Sequence, residues 1–359
     1  MKIGIPREIK PQESRIATVP AGVSTLVGDG HTVMVERGAG EAVGFSDSDY
    51  STAGAWIVDT HEELFESCEM IYKVKEPLPS EFELIKPGQT VFTYFHFAAS
   101  LELTRAMQET GALCLAYETL ELPDGSLPLL IPMSEIAGRM AAQCGATSLE
   151  KHNGGSGVLL GGVPGVEPAR VTVIGGGISG MHAAQIAAGM GARVSILDIN
   201  LSLLRHLEHV MPRNVVTVYS DARRIADNCA ISDLVIGAVL IHGAPAPKLV
   251  TRDILRSMRP GSVFVDISVD QGGCAETTRP TTHSNPTYVE EGVIHYAVAN
   301  IPGAVGRTST FALSNATLPY ARKIAAQGRD VLKEPVFESL VNIDDGNLVY
   351  PALKETFGE

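Results

Sequence analysis

The sequence predicts an α/β protein of two domains, each built on a parallel β-sheet that is covered by helices on both faces. Short apolar runs alternate with segments of helical periodicity along most of the chain, which is typical of parallel strands joined by helical crossovers. The chain has 359 residues, more than most single domains contain, and 45% of them are hydrophobic. That composition is sufficient for two buried cores.

The first α/β series begins at the amino terminus. Strands are predicted over residues 2–5, 31–36, 70–75, 91–96 and 113–118, and helices over 20–27, 61–67 and 101–110. Because strands and helices alternate, we expect these segments to form one sheet with its strands parallel.

A second α/β series follows a long predicted helix over about 134–151 and a glycine-rich loop over 154–165. Its strands are predicted over 171–174, 193–197, 215–218, 234–238, 263–267 and 295–298. A last helix, over about 309–327 with Gly328 as its C-cap, has no sheet of its own. We therefore expect it to pack on the first domain, which would comprise 1–130 and 306–359, with 131–305 inserted as the second domain.

A glycine motif opens the second domain with the spacing GxGxxG. Such a motif is weak evidence by itself in a chain with 36 glycines, but here an apolar strand precedes it and a helix follows it. The next strand ends at Asp198, which could bind a ribose 2′-hydroxyl and would repel a 2′-phosphate. The unit therefore predicts a Rossmann-like domain that binds NAD rather than NADP, against the alternative of an ordinary glycine turn. The loop residues expected to contact the cofactor are Gly175, Gly177, Ile178, Ser179 and Gly180.

Composition argues against several other classes of protein. The formal net charge of −13 disfavours binding to nucleic acid. No apolar run approaches the ~18 residues of a membrane span, and the first residues lack the apolar segment of a signal peptide. The five cysteines are scattered without a disulfide or zinc pattern, so we expect a cytoplasmic protein with buried thiols. His206 and His209 are better explained by a solvent-facing helix than by a metal site, and we predict no metal.

Four polar residues of the first domain follow predicted strands, where open α/β sheets bind their ligands. They are Arg15, Lys75, His96 and Glu118. Together they could bring two cations, an imidazole and a carboxylate into one cleft. Each has an alternative explanation: a solvated arginine, a surface lysine, a structural histidine, and a glutamate that caps a helix or pairs with a cation.

Two segments of the second domain also follow strands. Asp270 comes after the strand predicted over 263–267 and would lie near the reactive end of the cofactor, unless it only forms an Asx-turn before the next glycines. The segment from Val298 to Ile301 could line the nicotinamide pocket or simply end a strand.

Several motifs together give the chain a specific resemblance. They are the segments 4–8 with Arg15, 73–77, 129–135, 161–166, 270–274 and 308–310. On these residues the chain resembles the bacterial L-alanine dehydrogenase family over nearly its whole length. It is also similar in part to the NAD-binding portion of proton-pumping transhydrogenase and to saccharopine dehydrogenases.

The resemblance implies reversible oxidation of L-alanine to pyruvate and ammonia, with NAD as the hydride acceptor, and it implies a homohexamer. It assigns Arg15 and Lys75 to the substrate, and His96 and Asp270 to acid–base chemistry. Leu203 and Ile301 depart from the residues common in the family at the adenosine and nicotinamide ends, and the segment beyond Gly328 matches weakly. Positions that match cofactor contacts are Ser134, Asp198, Ser220, Val239, Leu240, Ile267, Asp270, Arg279, Val298, Asn300 and Ile301.

Two other functions remain as alternatives from the sequence alone. A 2-hydroxyacid dehydrogenase would reduce pyruvate without ammonia, and a non-catalytic NAD(H)-binding component of the transhydrogenase type would bind dinucleotide without turnover. The retention of Arg15, Lys75 and His96 disfavours the second. The preference for alanine over serine or 2-aminobutyrate and the physiological direction stay open.

Overall fold

The computed structural model describes residues 1–239 and 246–358. The chain divides into two compact units: unit 1 comprises Met1–Met133 and Val305–Glu359, and unit 2 comprises Ser134–Ala304. None of the helices in the described ranges is both long enough and apolar enough to cross a membrane.

Many of the strands are rich in valine and isoleucine, as expected for segments that are buried in a sheet. They are β1 (Lys2–Ile5), β2 (Thr32–Glu36), β3 (Trp56–Val58), β4 (Met70–Tyr72), β5 (Thr90–Thr93), β6 (Leu113–Ala116), β7 (Arg170–Ile174), β8 (Arg193–Asp198), β9 (Val215–Tyr219), β10 (Leu234–Gly237), β11 (Val263–Asp266), β12 (Thr287–Glu290), β13 (Val293–Tyr296), β14 (Val341–Asp344) and β15 (Asn347–Leu348).

The helices connect these strands, and several begin at a side-chain cap such as Ser100, Asn200 or Asp221. They are α1 (Pro20–Gly28), α2 (Asp47–Thr52), α3 (His61–Ser67), α4 (Pro79–Phe82), α5 (Leu101–Thr110), α6 (Ile131–Ser148), α7 (Ile178–Gly189), α8 (Leu201–Val210), α9 (Ala222–Ile231), α10 (Arg252–Ser257), α11 (Gly306–Gln327), α12 (Pro335–Glu338) and α13 (Pro351–Phe357).

Unit 1 has an eight-stranded sheet in the order β15-β14-β6-β5-β4-β1-β2-β3. Strands β1 to β6 are parallel, whereas β14 pairs antiparallel with β6 and β15 antiparallel with β14. The chain order reverses between β1 and β4, so this is the point where a ligand is expected beyond the carboxyl ends of the strands. Helix α11 packs against α1 in this unit, and the hydroxyls of Thr18 and Ser314 are 2.8 Å apart.

Unit 2 has a seven-stranded sheet in the order β12-β13-β11-β10-β7-β8-β9. All neighbouring strands are parallel except the edge pair of β12 and β13. Here the order reverses between β7 and β10. The predicted fold class, an α/β protein of two Rossmann-like domains, is confirmed. Both sheets were predicted to be parallel, and the antiparallel edge strands are an addition that is common in such sheets.

Three strands of unit 1 end sooner than the sequence predicts. Strand β4 ends at Tyr72 rather than at 75, β5 at Thr93 rather than at 96, and β6 at Ala116 rather than at 118. Beyond β4 and β5, carboxylates rather than a neighbouring strand accept the amides of residues 74, 75, 95 and 96. The polar residues expected at strand ends therefore lie in the loops just past them. The last strands of unit 1 and the edge strands β3 and β12 were not predicted from the sequence.

Candidate active site and nucleotide site

Arg15 lies in the loop that follows β1 in unit 1 and is only 3% exposed. Its Nε donates to Oε1 of Glu13 at 2.7 Å, and its Nη2 to Oε2 at 2.5 Å, so that the two side chains form a bidentate pair. Its Nη1 lies 3.2 Å from the sulfur of Met133. The alternative of a solvated loop arginine is therefore wrong, because this guanidinium is buried and held in one orientation.

Lys75 lies in the loop that follows β4. This loop is beside the point where the strand order reverses in the sheet of unit 1. Glu8 accepts the amides of Val74 at 2.6 Å and Lys75 at 3.2 Å, which fixes the backbone of this loop. The Lys75 ammonium is 3.7 Å from a carboxylate oxygen of Glu76. Burial lowers the pKa of Lys75; Glu76 opposes that shift, and the charge of Arg15 adds to it. The surface-lysine alternative is wrong, and the structure brings the two predicted cations into electrostatic range of one another.

His96 follows β5 and has a left-handed backbone, with φ of 54°. Its side chain is exposed, and its ring lies parallel to that of the buried Tyr94, with centroids 5.8 Å apart. The hydroxyl of Thr93 donates to the carbonyl of Lys75 at 2.9 Å, which joins the two segments. Thus the loops that carry Lys75 and His96 are neighbours at one edge of the sheet.

Glu118 has the structural role of a hydrogen-bond acceptor. Its carboxylate accepts the amide of His96 at 2.5 Å and that of Phe95 at 3.2 and 3.3 Å. Among the contacts of the described residues, Glu118 neither caps a helix nor pairs with a cation. Both structural explanations that the sequence offered for it were therefore wrong.

The glycine motif of unit 2 forms the turn between β7 and α7. Gly175 has φ of 100°, and a Cβ there would come within 2.5 Å of the carbonyl of Ala238 at the end of β10. A Cβ on Gly180 would come within 1.8 Å of the carbonyl of Gly175, so this helix packs against its own turn. By contrast, a Cβ on Gly177 would meet nothing within 4 Å. The space above Gly177 is thus open at the start of a helix, where an anion is stabilised.

Asp198 ends β8 beside this loop and is half-buried. One of its carboxylate oxygens accepts the amide of Gly176 at 2.7 Å, and the other accepts that of Asn200 at 2.8 Å. Ser220 lies at the end of the neighbouring strand and donates its amide to the carbonyl of Asp198 at 2.9 Å. Asp198 therefore shapes the glycine loop, and each of its oxygens keeps a second lone pair for a further donor.

Asp270 is exposed in a 3₁₀ turn (Ile267–Gln271) that follows β11. The buried Asp266 holds this segment: its carboxylate accepts the amides of Ser268 at 3.0 Å and Cys274 at 2.9 Å. Burial raises the pKa of Asp266, although these hydrogen bonds oppose the shift. The hydroxyl of Ser268 donates to the carbonyl of Val239 at 2.7 Å, which ties the turn to the end of β10.

Further predicted cofactor positions of unit 2 lie in loops and in the first turn of a helix. Arg279 is exposed and lies over the ring of Tyr288, 4.0 Å from its centroid. Asn300 has a left-handed backbone with φ of 60°, and Ile301 is buried. Ser134 lies in the first turn of α6, where its carbonyl accepts the hydroxyl of Ser179 at 2.9 Å. Leu240 lies outside the described residues.

Sequence reasoning missed the acidic residues that hold the site's loops in unit 1 and unit 2: Glu8, Glu13 and Asp266. Their signal was present in part, since Glu8 belongs to a motif that carries the resemblance and Asp266 lies in the strand predicted over 263–267. A buried chain of charges was missed as well, in which Glu81 contacts both Lys73 and His61, and His61 contacts Glu36 at 2.7 Å.

Comparisons with known proteins cover the whole chain. The family model "Alanine dehydrogenase/PNT, N-terminal domain" matches residues 4–137, and "Alanine dehydrogenase/PNT, C-terminal domain" matches 141–351. The alanine dehydrogenase of Halomonas elongata is 52% identical over 100% of this chain and 97% of its own, and that of Geobacillus stearothermophilus is 55% identical over 98% and 95%.

Solved structures give the same picture. A structure of L-alanine dehydrogenase is 50% identical, with a TM-score of 0.97 over 100% of this chain and 99% of that one. A transhydrogenase from Sinorhizobium meliloti is 24% identical, with a TM-score of 0.86 over 97% of this chain and 100% of that one, and it shares the fold.

Proposed function

The chain belongs to the alanine dehydrogenase/PNT family, and from that premise we propose that it oxidises L-alanine to pyruvate and ammonia with NAD as the hydride acceptor. It is an oxidoreductase that acts on the CH–NH₂ group of an amino acid and uses a nicotinamide dinucleotide. The observation that carries the proposal is the grouping of the Lys75 and His96 loops at one sheet edge, with the buried Arg15 in electrostatic range of Lys75.

Arg15 and Lys75 bind the carboxylate of the substrate. Both side chains are buried, and the charge of Arg15 disfavours the protonated form of Lys75, so a substrate carboxylate beside them would offset that repulsion. Glu13 fixes the orientation of the Arg15 guanidinium, and Glu8 fixes the loop that carries Lys75. A carboxylate bound in this way orients the α-carbon of alanine in the site.

His96 and Asp270 move the protons. The dinucleotide, when bound, accepts the hydride from the α-carbon. A ring nitrogen of an imidazole can either donate or accept a proton, so His96 can give a proton to, or take one from, the oxygen that becomes the carbonyl of pyruvate. Asp270 activates the water that attacks the iminium carbon of the substrate, after which ammonia leaves.

The residues of unit 2 fit a dinucleotide. The open space above Gly177 and the start of α7 suit a pyrophosphate, since no side chain caps that helix start among the contacts described. Asp198 would accept the ribose hydroxyl hydrogens and repel a 2′-phosphate, which supports NAD over NADP. The further positions that we propose to line the cofactor are Ser134, Ile178, Ser179, Ser220, Val239, Ile267, Asp270, Arg279, Val298, Asn300 and Ile301.

A panel of amino acids tests the substrate. With NAD in excess, we expect NADH to form fastest with L-alanine, and more slowly with L-serine or L-2-aminobutyrate because their larger side chains must fit the same site. NADH binding without turnover of any amino acid would instead indicate a non-catalytic dinucleotide-binding component.

We also propose that the chain forms a homohexamer, as the sequence resemblance implies. Exposed apolar side chains on edge strands support self-association, since Trp56 on β3 is 69% exposed and Val289 on β12 is 65% exposed. Sedimentation should give a mass about six times the 38.1 kDa of one chain, and a monomer would contradict the proposal.

The cytosol is our proposed location. The five cysteines are free and four of them are buried, and burial raises the pKa of Cys114 and Cys229. Unreactive free thiols of this kind are typical of a reducing compartment. Fractionation of the source cells, followed by immunodetection, would test this location.

A further inference from the structure

The backbone of His96 is in a conformation that few non-glycine residues adopt. Its φ of 54° and ψ of 40° lie in the left-handed region, which is sterically unfavourable for a residue with a Cβ. Such a conformation persists only where surrounding contacts enforce it. The contacts of this segment therefore determine the orientation of the His96 side chain.

Glu118 accepts hydrogen bonds from the backbone of this segment. It lies in the 3₁₀ turn (Tyr117–Thr119) that follows β6. Strand β6 is the neighbour of β5, the strand that precedes His96. Its Oε1 accepts the amide of His96 at 2.5 Å, and both of its oxygens accept the amide of Phe95, at 3.2 and 3.3 Å. Hydrogen bonds from two consecutive amides to an ionised carboxylate are about twice as strong as neutral ones.

The ring direction of His96 follows from this backbone. The imidazole lies parallel to the phenol ring of Tyr94, at an interplanar angle of 1°. Tyr94 is itself fixed, because it is 3% exposed and its hydroxyl donates to the carbonyl of Leu129 at 2.5 Å. If the backbone of residue 96 relaxed to negative φ, the Cα–Cβ bond would turn and the ring would leave this stacked position.

We propose that Glu118 is a positioning residue, which acts on the reaction only by holding the backbone that directs His96. The inference rests on the proposed function, in which His96 transfers a proton. Glu118 needs no contact with substrate or cofactor in this role. It resembles Glu8, which accepts the amides of Val74 and Lys75 in the same sheet.

The chain offers a matched control in Glu121. It lies three residues further on and is exposed. Burial raises the pKa of Tyr350, and the charges of Glu121 and Glu118 add to that shift, so both carboxylates lie in electrostatic range of the same group. No contact of the Glu121 carboxylate with an amide of the His96 loop is recorded in the described part of the chain. Replacing Glu121 therefore removes a negative charge without removing the hydrogen bonds to the loop.

The experiment compares Glu118→Ala and Glu118→Gln with Glu121→Ala and Glu121→Gln, in the full chain. We expect Glu118→Ala to lower kcat for L-alanine by about 10- to 100-fold relative to Glu121→Ala, the scale of a misplaced catalytic group. Glu118→Gln keeps a carbonyl oxygen that can accept both amides, so its kcat should fall only several-fold. NADH affinity, measured by fluorescence titration, should stay unchanged in all four variants.

A double-mutant cycle with His96→Ala separates positioning from an independent role. Because Glu118 acts only through His96, we expect Glu118→Ala to lower kcat no further in the His96→Ala background, as judged by single-turnover rates. Losses that multiply would overturn the inference, and so would equal kcat values for Glu118→Ala and Glu121→Ala.

Two further outcomes are distinguishable. If Glu118→Ala fails to fold, the comparison of Glu118→Gln with Glu121→Gln decides: a several-fold lower kcat supports the inference and equal values overturn it. If His96→Ala alone retains the turnover of the unmodified chain, the proposed role of His96 is wrong, and the inference that rests on it is wrong as well.

Discussion

Lys75 is the residue whose ionisation bears most directly on substrate binding. Its ammonium is buried, and burial lowers its pKa while Glu76 opposes the shift. A cation that binds a carboxylate must be protonated to do so. The lowered pKa of Lys75 therefore places the loss of this interaction at a lower pH than for an exposed lysine, whose value is 10.5.

We expect the affinity for pyruvate to fall with rising pH before pH 10.5 is reached. Pyruvate is the better probe than alanine, because it has no amine that titrates in this range. Loss of one charge-assisted hydrogen bond should weaken its binding by about tenfold. Dissociation constants of pyruvate with NADH present and ammonium absent, measured from pH 7 to 10, provide the test. Lys75→Arg is the control, since its guanidinium does not titrate there and its profile should be flat; a flat profile for the unmodified chain would contradict the assignment.

Asp198 decides between NAD and NADP in this account. Replacing it with glycine removes the acceptor for the ribose hydroxyls, so we expect NAD use to weaken by about 10- to 100-fold, the scale of a hydrogen bond to a charged group. Discrimination against NADP should relax because the repulsive charge is gone. Kinetics with both cofactors would measure the ratio, with Asp227→Gly, at an exposed site on α9, as the control. An unchanged ratio in Asp198→Gly would rule out this role.

At the scale of elements, the turn that leads into α7 contains two glycines with different roles. Gly180 is required by packing, because a Cβ there would meet the carbonyl of Gly175 at 1.8 Å. Gly177 has no such neighbour within 4 Å, and its φ of −62° is allowed for any residue. The space that it leaves open would serve the ligand and not the fold.

We therefore expect Gly177→Ala to keep its thermal midpoint and to bind NADH more weakly, because the methyl group would occupy the space proposed for the pyrophosphate. Gly180→Ala should lose both stability and binding. Gly189→Ala, at the other end of the same helix, meets nothing within 4 Å and should change neither for the worse. Thermal melts and fluorescence titrations of the three variants test this, and unchanged NADH affinity in Gly177→Ala would exclude the proposed pyrophosphate site.

The buried charges around His61 join α3, β2 and α4 of unit 1. Burial lowers the pKa of His61, but hydrogen bonds to Glu36 and Glu81 outweigh that effect and raise the pKa to about 9. Below pH 6.5 the imidazole is protonated in both the folded and the unfolded chain. The ion pairs of His61 then make their full contribution to the free energy of unfolding. Between pH 6.5 and about 9 only the folded chain keeps the proton, and the stabilisation is lost as pH rises.

A comparison of the unmodified chain with His61→Gln should reveal this loss of stability. The contribution lost is on the order of 3 kcal/mol over the interval. We expect the unmodified chain to have a clearly higher thermal midpoint than His61→Gln near pH 6, and the two midpoints to approach one another above pH 9. Melting curves across this range provide the measurement. A gap of constant size at every pH would show that the imidazole is not protonated in the folded chain.

Sequence patterns predicted the elements that repeat a period and missed what depends on distant contacts. Strands β1, β2 and β7 and helix α11 were close to their observed bounds, since each has a clear apolar pattern. The segments after β4 and β5 were predicted to continue as strand to Lys75 and His96. Only the folded chain shows that Glu8 and Glu118 accept their amides.

At the scale of the whole molecule, the resemblance predicted from short motifs is confirmed by family models and by full-length relatives that are more than 50% identical. The local motifs predicted that Arg15 and Lys75 follow strands, but not that both are buried beside carboxylates. Burial of that kind depends on residues far apart in sequence, such as Glu8 and Lys75, and a single sequence does not reveal such pairs.

In the proposed reaction a hydride passes from the α-carbon of L-alanine to the nicotinamide, and ammonia leaves after water has attacked the resulting iminium. The most direct test supplies L-alanine deuterated at that carbon, together with NAD, and analyses the products by mass spectrometry and NMR. We expect one deuterium at C4 of the NADH nicotinamide, with pyruvate and ammonium formed in equal amounts, and we expect pyruvate to be reduced only when ammonium is present. Unlabelled NADH, or reduction of pyruvate to lactate without ammonium, would contradict it.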